Sequence, residues 1–166
     1  MTQQEELSEF LAIKQELVTL LETLDEDRLN QVPFPGSWTA GQLGEHLLKS
    51  YRGIDLSKVQ ASPSQRPSGE KSPQIDGVFL DFTTKYQPPE FIVPSTGRIP
   101  GPKLLGDIRQ AADAIAAFVN AHDLSFTCPD FEVIGFGDLT AQEWIRFLTA
   151  HSKRHVRQLR NILSRL

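Results

Sequence analysis

Proline limits what this chain can fold into. Its eleven prolines fall at positions 33, 35, 63, 67, 73, 88, 89, 94, 100, 102 and 129. A proline removes a backbone donor and clashes with the preceding turn, so none of these positions suits a helix interior. Four long proline-free segments remain, 1–32, 36–62, 103–128 and 130–166, and each carries one helical pattern.

Thr2 with Glu5 three residues on is a capping-box signature ahead of a helix over about 3–24. Its Leu7, Phe10, Leu11, Lys14, Leu17, Leu21 and Leu24 recur at three- and four-residue spacing. Thr39 and Gln42 open a second helix over about 40–54, with Leu43, His46, Leu47, Ser50 and Ile54 facing inward. The third begins near Pro102, a first-turn proline, and carries Leu104, Leu105, Ile108, Ala112, Ile115, Phe118 and Val119. The fourth starts at Thr140 with Glu143 as box partner; its inner face is Trp144, Leu148, His151, His155, Leu159 and Ile162.

Between these helices, residues 25–38 and 123–139 read as loops, 74–86 as a segment able to hold a short extra helix, and 87–102 as an extended run. The pattern predicts an all-α single domain over 1–166: a four-helix bundle with a long crossover between the second and third helices, carrying an insertion at 57–102. The insertion holds Ile75, Val78, Phe79, Phe82, Tyr86, Phe91 and Ile92, more apolar surface than a free linker needs. It is expected to dock on the bundle, either as a wall or lid over a site or as cover for one end.

A net charge of −4 argues against a general nucleic-acid binder. No stretch is long and apolar enough to span a bilayer. The single cysteine, Cys128, allows no intramolecular disulfide and no thiolate cluster. The opening Met-Thr-Gln-Gln-Glu-Glu lacks the basic and apolar regions of a secretory signal. Together these features lead to the expectation of a cytoplasmic protein. The charge is unevenly spread: residues 1–50 are rich in Asp and Glu, whereas beyond 140 only Glu143 stands against Arg146, Lys153, Arg154, Arg157, Arg160 and Arg165. Neighbouring helices with complementary outer faces would account for that split.

The chemistry lies in the histidines. His151 and His155 are four apart on one helix face, the spacing at which two imidazoles can grip one metal ion. His46 lies on the apolar stripe of the second helix. If the second and fourth helices pack with these faces inward, three imidazoles converge; the alternative is three ordinary core or surface histidines. The residue after His151 is Ser152, not the glutamate of a zinc protease helix, which excludes that class. Three protein ligands would leave one coordination position open, the arrangement of catalytic rather than structural sites. His122, at the end of the third helix, stays outside this group, and Trp38 and Trp144 read as core anchors. The basic run at Lys153, Arg154, Arg157 and Arg160 reads mainly as a solvated face.

The stretch from Phe34 to Leu47, with Trp38-Thr39 followed by His46, resembles the first signature of the DinB/YfiT-like metalloenzyme family. Thr149-Ala-His151-Ser-Lys-Arg-His155-Val-Arg-Gln-Leu resembles its second. The resemblance covers nearly the whole chain, although 57–102 matches no named pattern. It implies an up-down-down-up four-helix bundle, metal ligation by His46, His151 and His155, zinc or nickel as the ion, and a homodimer. It also implies a hydrolase or a transferase using a low-molecular-weight thiol, acting on an unidentified small molecule. The competing class is a non-catalytic metal-binding or dimerisation module. Glu45, Asp81 and Glu143 are the carboxylates in reach of a general-base role, although helical phase turns Glu45 and Glu143 away from the inner face.

Overall fold

The computed structural model describes residues 1–53, 61–133 and 135–166. Ile54 and the first residues of the 57–102 insertion, 57–60, lie outside the described residues. The chain is mostly helical with one small sheet: α1 (Gln3–Glu22), α2 (Glu26–Leu29), α3 (Ala40–Arg52), α4 (Ser72–Phe79), α5 (Gly101–Ala121), strands β1 (Thr127–Val133) and β2 (Gly137–Thr140), and α6 (Ala141–Leu163).

Helices α1, α3 and α6 begin on the capping boxes read from sequence. Thr2, Thr39 and Thr140 each accept from the backbone N–H three residues on, and Glu5, Gln42 and Glu143 reach back to the cap. These reciprocal bonds satisfy donors that the first turn would otherwise leave bare. Helix α5 uses Pro102 in its first turn instead.

Helix α1 packs on α6 and α5, α3 packs on α5 and α6, and α4 lies on α6. The core they share includes Phe10, Leu17, Leu43, Leu47, Ile108, Leu148 and Leu159, all fully buried. Burial of such side chains contributes about 1.5–3 kcal/mol each before entropy is counted. Gly44 marks where α3 comes closest to its neighbours: a Cβ there would stand 2.9 Å from Leu104 and 3.1 Å from Leu21.

The acidic and basic ends of the chain meet inside this packing. Lys153 pairs with Glu9, and Arg160 with Glu16 at 2.5 Å, so α1 and α6 have complementary faces. The basic run is therefore less solvated than its sequence suggests. The Arg154 guanidinium donates to the carbonyls of Asp81 (2.6 Å) and Thr84, and Arg157 lies over the Phe82 ring at 4.5 Å.

Three loop expectations need correction. Residues 123–139 are not a plain loop: β1 and β2 form an antiparallel hairpin, turned by Gly135 and Gly137 at φ +90° and +59°. The chain is thus not purely α. Residues 25–38 contain the short helix α2, capped by Asp25. The 87–102 run is broken by a 3-10 turn at Glu90–Ile92. No helix among the described residues is long and apolar enough to cross a membrane.

Candidate metal centre

His46 sits two turns into α3; His151 and His155 sit mid-way along α6, one turn apart. The packing of α3 on α6 brings the three rings together. Nε2 of His46 lies 3.1 Å from Nε2 of His151 and 3.1 Å from Nε2 of His155, and the last two are 3.0 Å apart. His46 and His151 are buried; His155 lies at the margin with intermediate exposure.

The other ring nitrogens decide what faces the centre. His46 Nδ1 is 2.9 Å from the Ile92 carbonyl, which can only accept, so Nδ1 carries the proton. His155 Nδ1 is 2.9 Å from Gln158 Oε1, with the same consequence. The Nε2 atoms of both rings therefore present lone pairs to a common point. A proton on His151 Nε2 can point to one of them at a time. A cation meets all three, and ligands around a tetrahedral ion with bonds of about 2.0–2.1 Å stand about 3.3 Å apart. The donor set and its spacing fit a divalent metal.

Burial also keeps the imidazoles neutral, as ligation requires. Burial pushes His151 well below its ordinary pKa, and His155, His46 and Arg154 add to the effect. His155 is pushed down to about 3, mainly by burial and then by His46. His46 is lowered by burial, against which the Ile92 carbonyl works.

The walls are aromatic. Trp38 packs on His46 (ring centroids 5.0 Å apart) and stacks on His155 (6.4 Å). Phe147 stacks on His151 at 5.3 Å, and Phe79 of α4 meets the same ring edge-on at 5.9 Å. Trp38 is thus part of the site's wall; it is half-buried and, unlike Trp144, stays outside the core cluster. Phe79 and the Ile92 carbonyl both come from the crossover, so that segment touches the site at two points. The Tyr51 hydroxyl on α3 lies 2.8 Å from Ser152 Oγ on α6, and Ser152 donates to the Leu148 carbonyl, so Tyr51 is the donor between the helices.

The three candidate bases are engaged elsewhere. Glu143 was expected to face outward but is fully buried: Arg66 grips both its oxygens at 2.5 and 2.7 Å, and the backbone N–H groups of Lys71 and Thr140 donate to it as well. Asp81 accepts from the Thr83 and Thr84 hydroxyls, 2.6 Å each. Glu45 accepts from the backbone of Ser95. His122 donates to the Phe118 carbonyl at the far end of α5, outside the site.

Four parts of the site lie outside the residues that the sequence pattern singles out. Phe147 lies on the same α6 row as His151 and His155, and Gln158 is three residues after His155; both were visible as spacing. Phe79 and the Ile92 carbonyl had no local signal, because only the path of the crossover brings them in.

A sequence model of the DinB superfamily matches residues 9–159. The chain belongs to the DinB superfamily. The match takes in both histidine motifs, so in this DinB-superfamily chain the clustered imidazoles fall within the family's own span. Among curated proteins, a Bacillus subtilis (strain 168) chain named "Uncharacterized protein YuaE" is 26% identical over 154 residues, covering 88% of this chain and 90% of that one. No solved structure gives a significant match.

Proposed function

We propose that this DinB-superfamily chain is a metal-dependent enzyme of hydrolase or thiol-dependent transferase type, built as a single-domain four-helix bundle of α1, α3, α5 and α6 in up-down-down-up order. His46, His151 and His155 would hold one divalent ion, zinc or nickel. The observation that carries this reading is the meeting of three neutral imidazoles, two with their lone pairs committed to the centre by bonds at Nδ1. When bound, such an ion supplies Lewis acidity and lowers the pKa of a water or thiol. The chain's own part is to keep the ligand nitrogens unprotonated by burial, to fix two rings through Ile92 and Gln158, and to shield the centre with Trp38, Phe79 and Phe147.

The test is metal content of protein purified without a nickel column, followed by turnover against thiols, esters and amides. About one equivalent of metal per chain and turnover that a chelator abolishes are the expected results. No metal uptake even on titration would overturn the reading. One observation favours the alternative of a non-catalytic metal-binding module: Glu45, Asp81 and Glu143 are all engaged away from the histidines. Metal uptake without turnover on the whole panel would favour it further. The homodimer is part of the proposal, with a cytoplasmic setting. Its support is the resemblance alone, since the acidic and basic faces pair within one chain. Sedimentation at micromolar concentration should give twice the 18.6 kDa chain mass.

A further inference from the structure

We propose that Glu45 and Lys49 are positioning residues of the metal centre: from α3 they hold the Glu90–Ile92 turn so that the Ile92 carbonyl fixes the His46 ring. This inference rests on the three-histidine reading above.

Gln42, Glu45, His46 and Lys49 are spaced as one stripe of α3. Three of them grip the chain just beyond Ile92. Lys49 Nζ donates to the Val93 carbonyl at 2.7 Å. Glu45 Oε2 accepts from the Ser95 N–H at 2.5 Å, and Gln42 Nε2 donates to the Ser95 carbonyl at 3.0 Å. The fourth member of the stripe, His46, donates to the carbonyl of Ile92 itself. The helix that supplies the ligand also supplies the clamps on the group that orients it.

A backbone carbonyl has no side chain to hold it in place, so its position depends on the chain to either side. Here the turn is closed by Ile92 N–H to the Pro89 carbonyl and Val93 N–H to the Glu90 carbonyl, both 3.1 Å. Phe91, 72% exposed, contributes little anchoring, whereas the Ile92 side chain is buried. The polar contacts at Val93 and Ser95 add a second set of fastenings just beyond that buried side chain. A ligating histidine whose other N–H loses its acceptor binds metal about 10–100-fold more weakly, because ring orientation and tautomer are no longer set. Glu45, considered above as a base, thus acts through Ile92 rather than on a substrate.

The test uses the full chain carrying Glu45→Ala with Lys49→Met, and separately Glu45→Gln with Lys49→Arg, which keep an acceptor and a donor. Cobalt(II) titration followed by its visible absorption gives affinity and ligand geometry. Long-range proton–nitrogen NMR on metal-free protein gives the His46 tautomer. The first pair should bind cobalt about 10–100-fold more weakly, with an altered absorption band. Its His46 should become a mixture of tautomers in place of the Nδ1–H form. The conservative pair should stay close to wild type in both. If Ala/Met binds cobalt like wild type and keeps the Nδ1–H tautomer, or if Gln/Arg is weakened as much as Ala/Met, the proposal fails. If wild type takes up no cobalt, the metal reading fails, and the tautomer alone decides whether the clamp orients His46. The single variant Lys49→Met provides the same readouts should the double variant melt early.

Discussion

Helix α6 carries two buried polar clusters little more than a turn apart, and their neighbours treat them in opposite ways. Arg146 is 7% exposed. Asp76 takes its guanidinium in two bonds of 2.7 and 2.6 Å, Glu9 in one of 2.5 Å, and Glu6 lies 3.7 Å away. Here donors meet acceptors. Burial raises the Glu6 carboxyl against the pull of Arg146, while Asp76 and Glu9 face Arg146 and Lys153 directly. At His151 the same helix brings together three ring nitrogens, two of them bare acceptors, and His151 Nδ1, like Glu6 Oε2 in the first cluster, is buried without a hydrogen-bond partner. A buried charge persists when surrounding groups complete it. Ring nitrogens that turn their lone pairs to one point are completed by a cation rather than by one another. The first cluster therefore reads as structure and the second as a ligand site.

Substitution should separate the two most sharply. Arg146→Met strips the guanidinium from Asp76 and Glu9, which are about a third exposed and can take up water, so the cost should be that of lost charged hydrogen bonds, about 1.5–3 kcal/mol. Urea unfolding should show a loss of that size. His151→Leu should abolish metal binding, yet leave the metal-free protein as stable as wild type or more so, because it removes an unpaired buried nitrogen. A drop in the His151→Leu protein as large as that for Arg146→Met would break the comparison.

Acid should distinguish them next. The three histidines have folded pKa values below the ordinary value of about 6.5, so the unfolded chain takes up their protons first. Stability of the metal-free protein should therefore fall as pH drops below about 6.5, continuing toward the His155 value of about 3. Glu9 is held below the usual carboxylate range by Lys153 and Arg146 despite its partial burial. Its contribution should be lost only at lower pH, below about 4.3. Urea midpoints that stay level from pH 7 to 5 would contradict the histidine assignment; a variant with all three rings replaced by leucine should show that level behaviour.

An exposed pair gives the smallest effect and sets the scale. Lys103 and Asp107 are four apart on α5, and the Lys103 side chain is 73% exposed. Lys103→Ala should leave the urea midpoint essentially where it is. A larger change would mean that surface pairs matter here nearly as much as the buried Arg146 network.

Much of the site was legible because its signals are local. His151 and His155 share a face by helical period alone, and His46 falls on the apolar stripe of α3, whose start the Thr39–Gln42 capping box marks. Other features were hidden because distant segments make them. The hairpin strand β1 contains Pro129 and lacks a clean alternation, and it is secured by pairing Thr127 with Thr140 and with Ser62. Glu143 faces outward by helical phase, yet 66–71 folds over it and supplies Arg66. Phase says which way a side chain leaves its helix; it cannot say what lies on top of it.

The sequence by itself determined the helical segments, their caps and the three imidazoles, because proline, capping residues and periodicity act within a few residues along the chain. It also determined the family, through two motifs just over a hundred residues apart. Only the tertiary structure decided that the Nε2 atoms meet within 3.1 Å, that Ile92 and Gln158 set the ring protons, and that Phe79 reaches the site. Those outcomes depend on how α3 packs on α6 and on the route of a long crossover. Both are settled by the packing of the whole core rather than by any local run of residues.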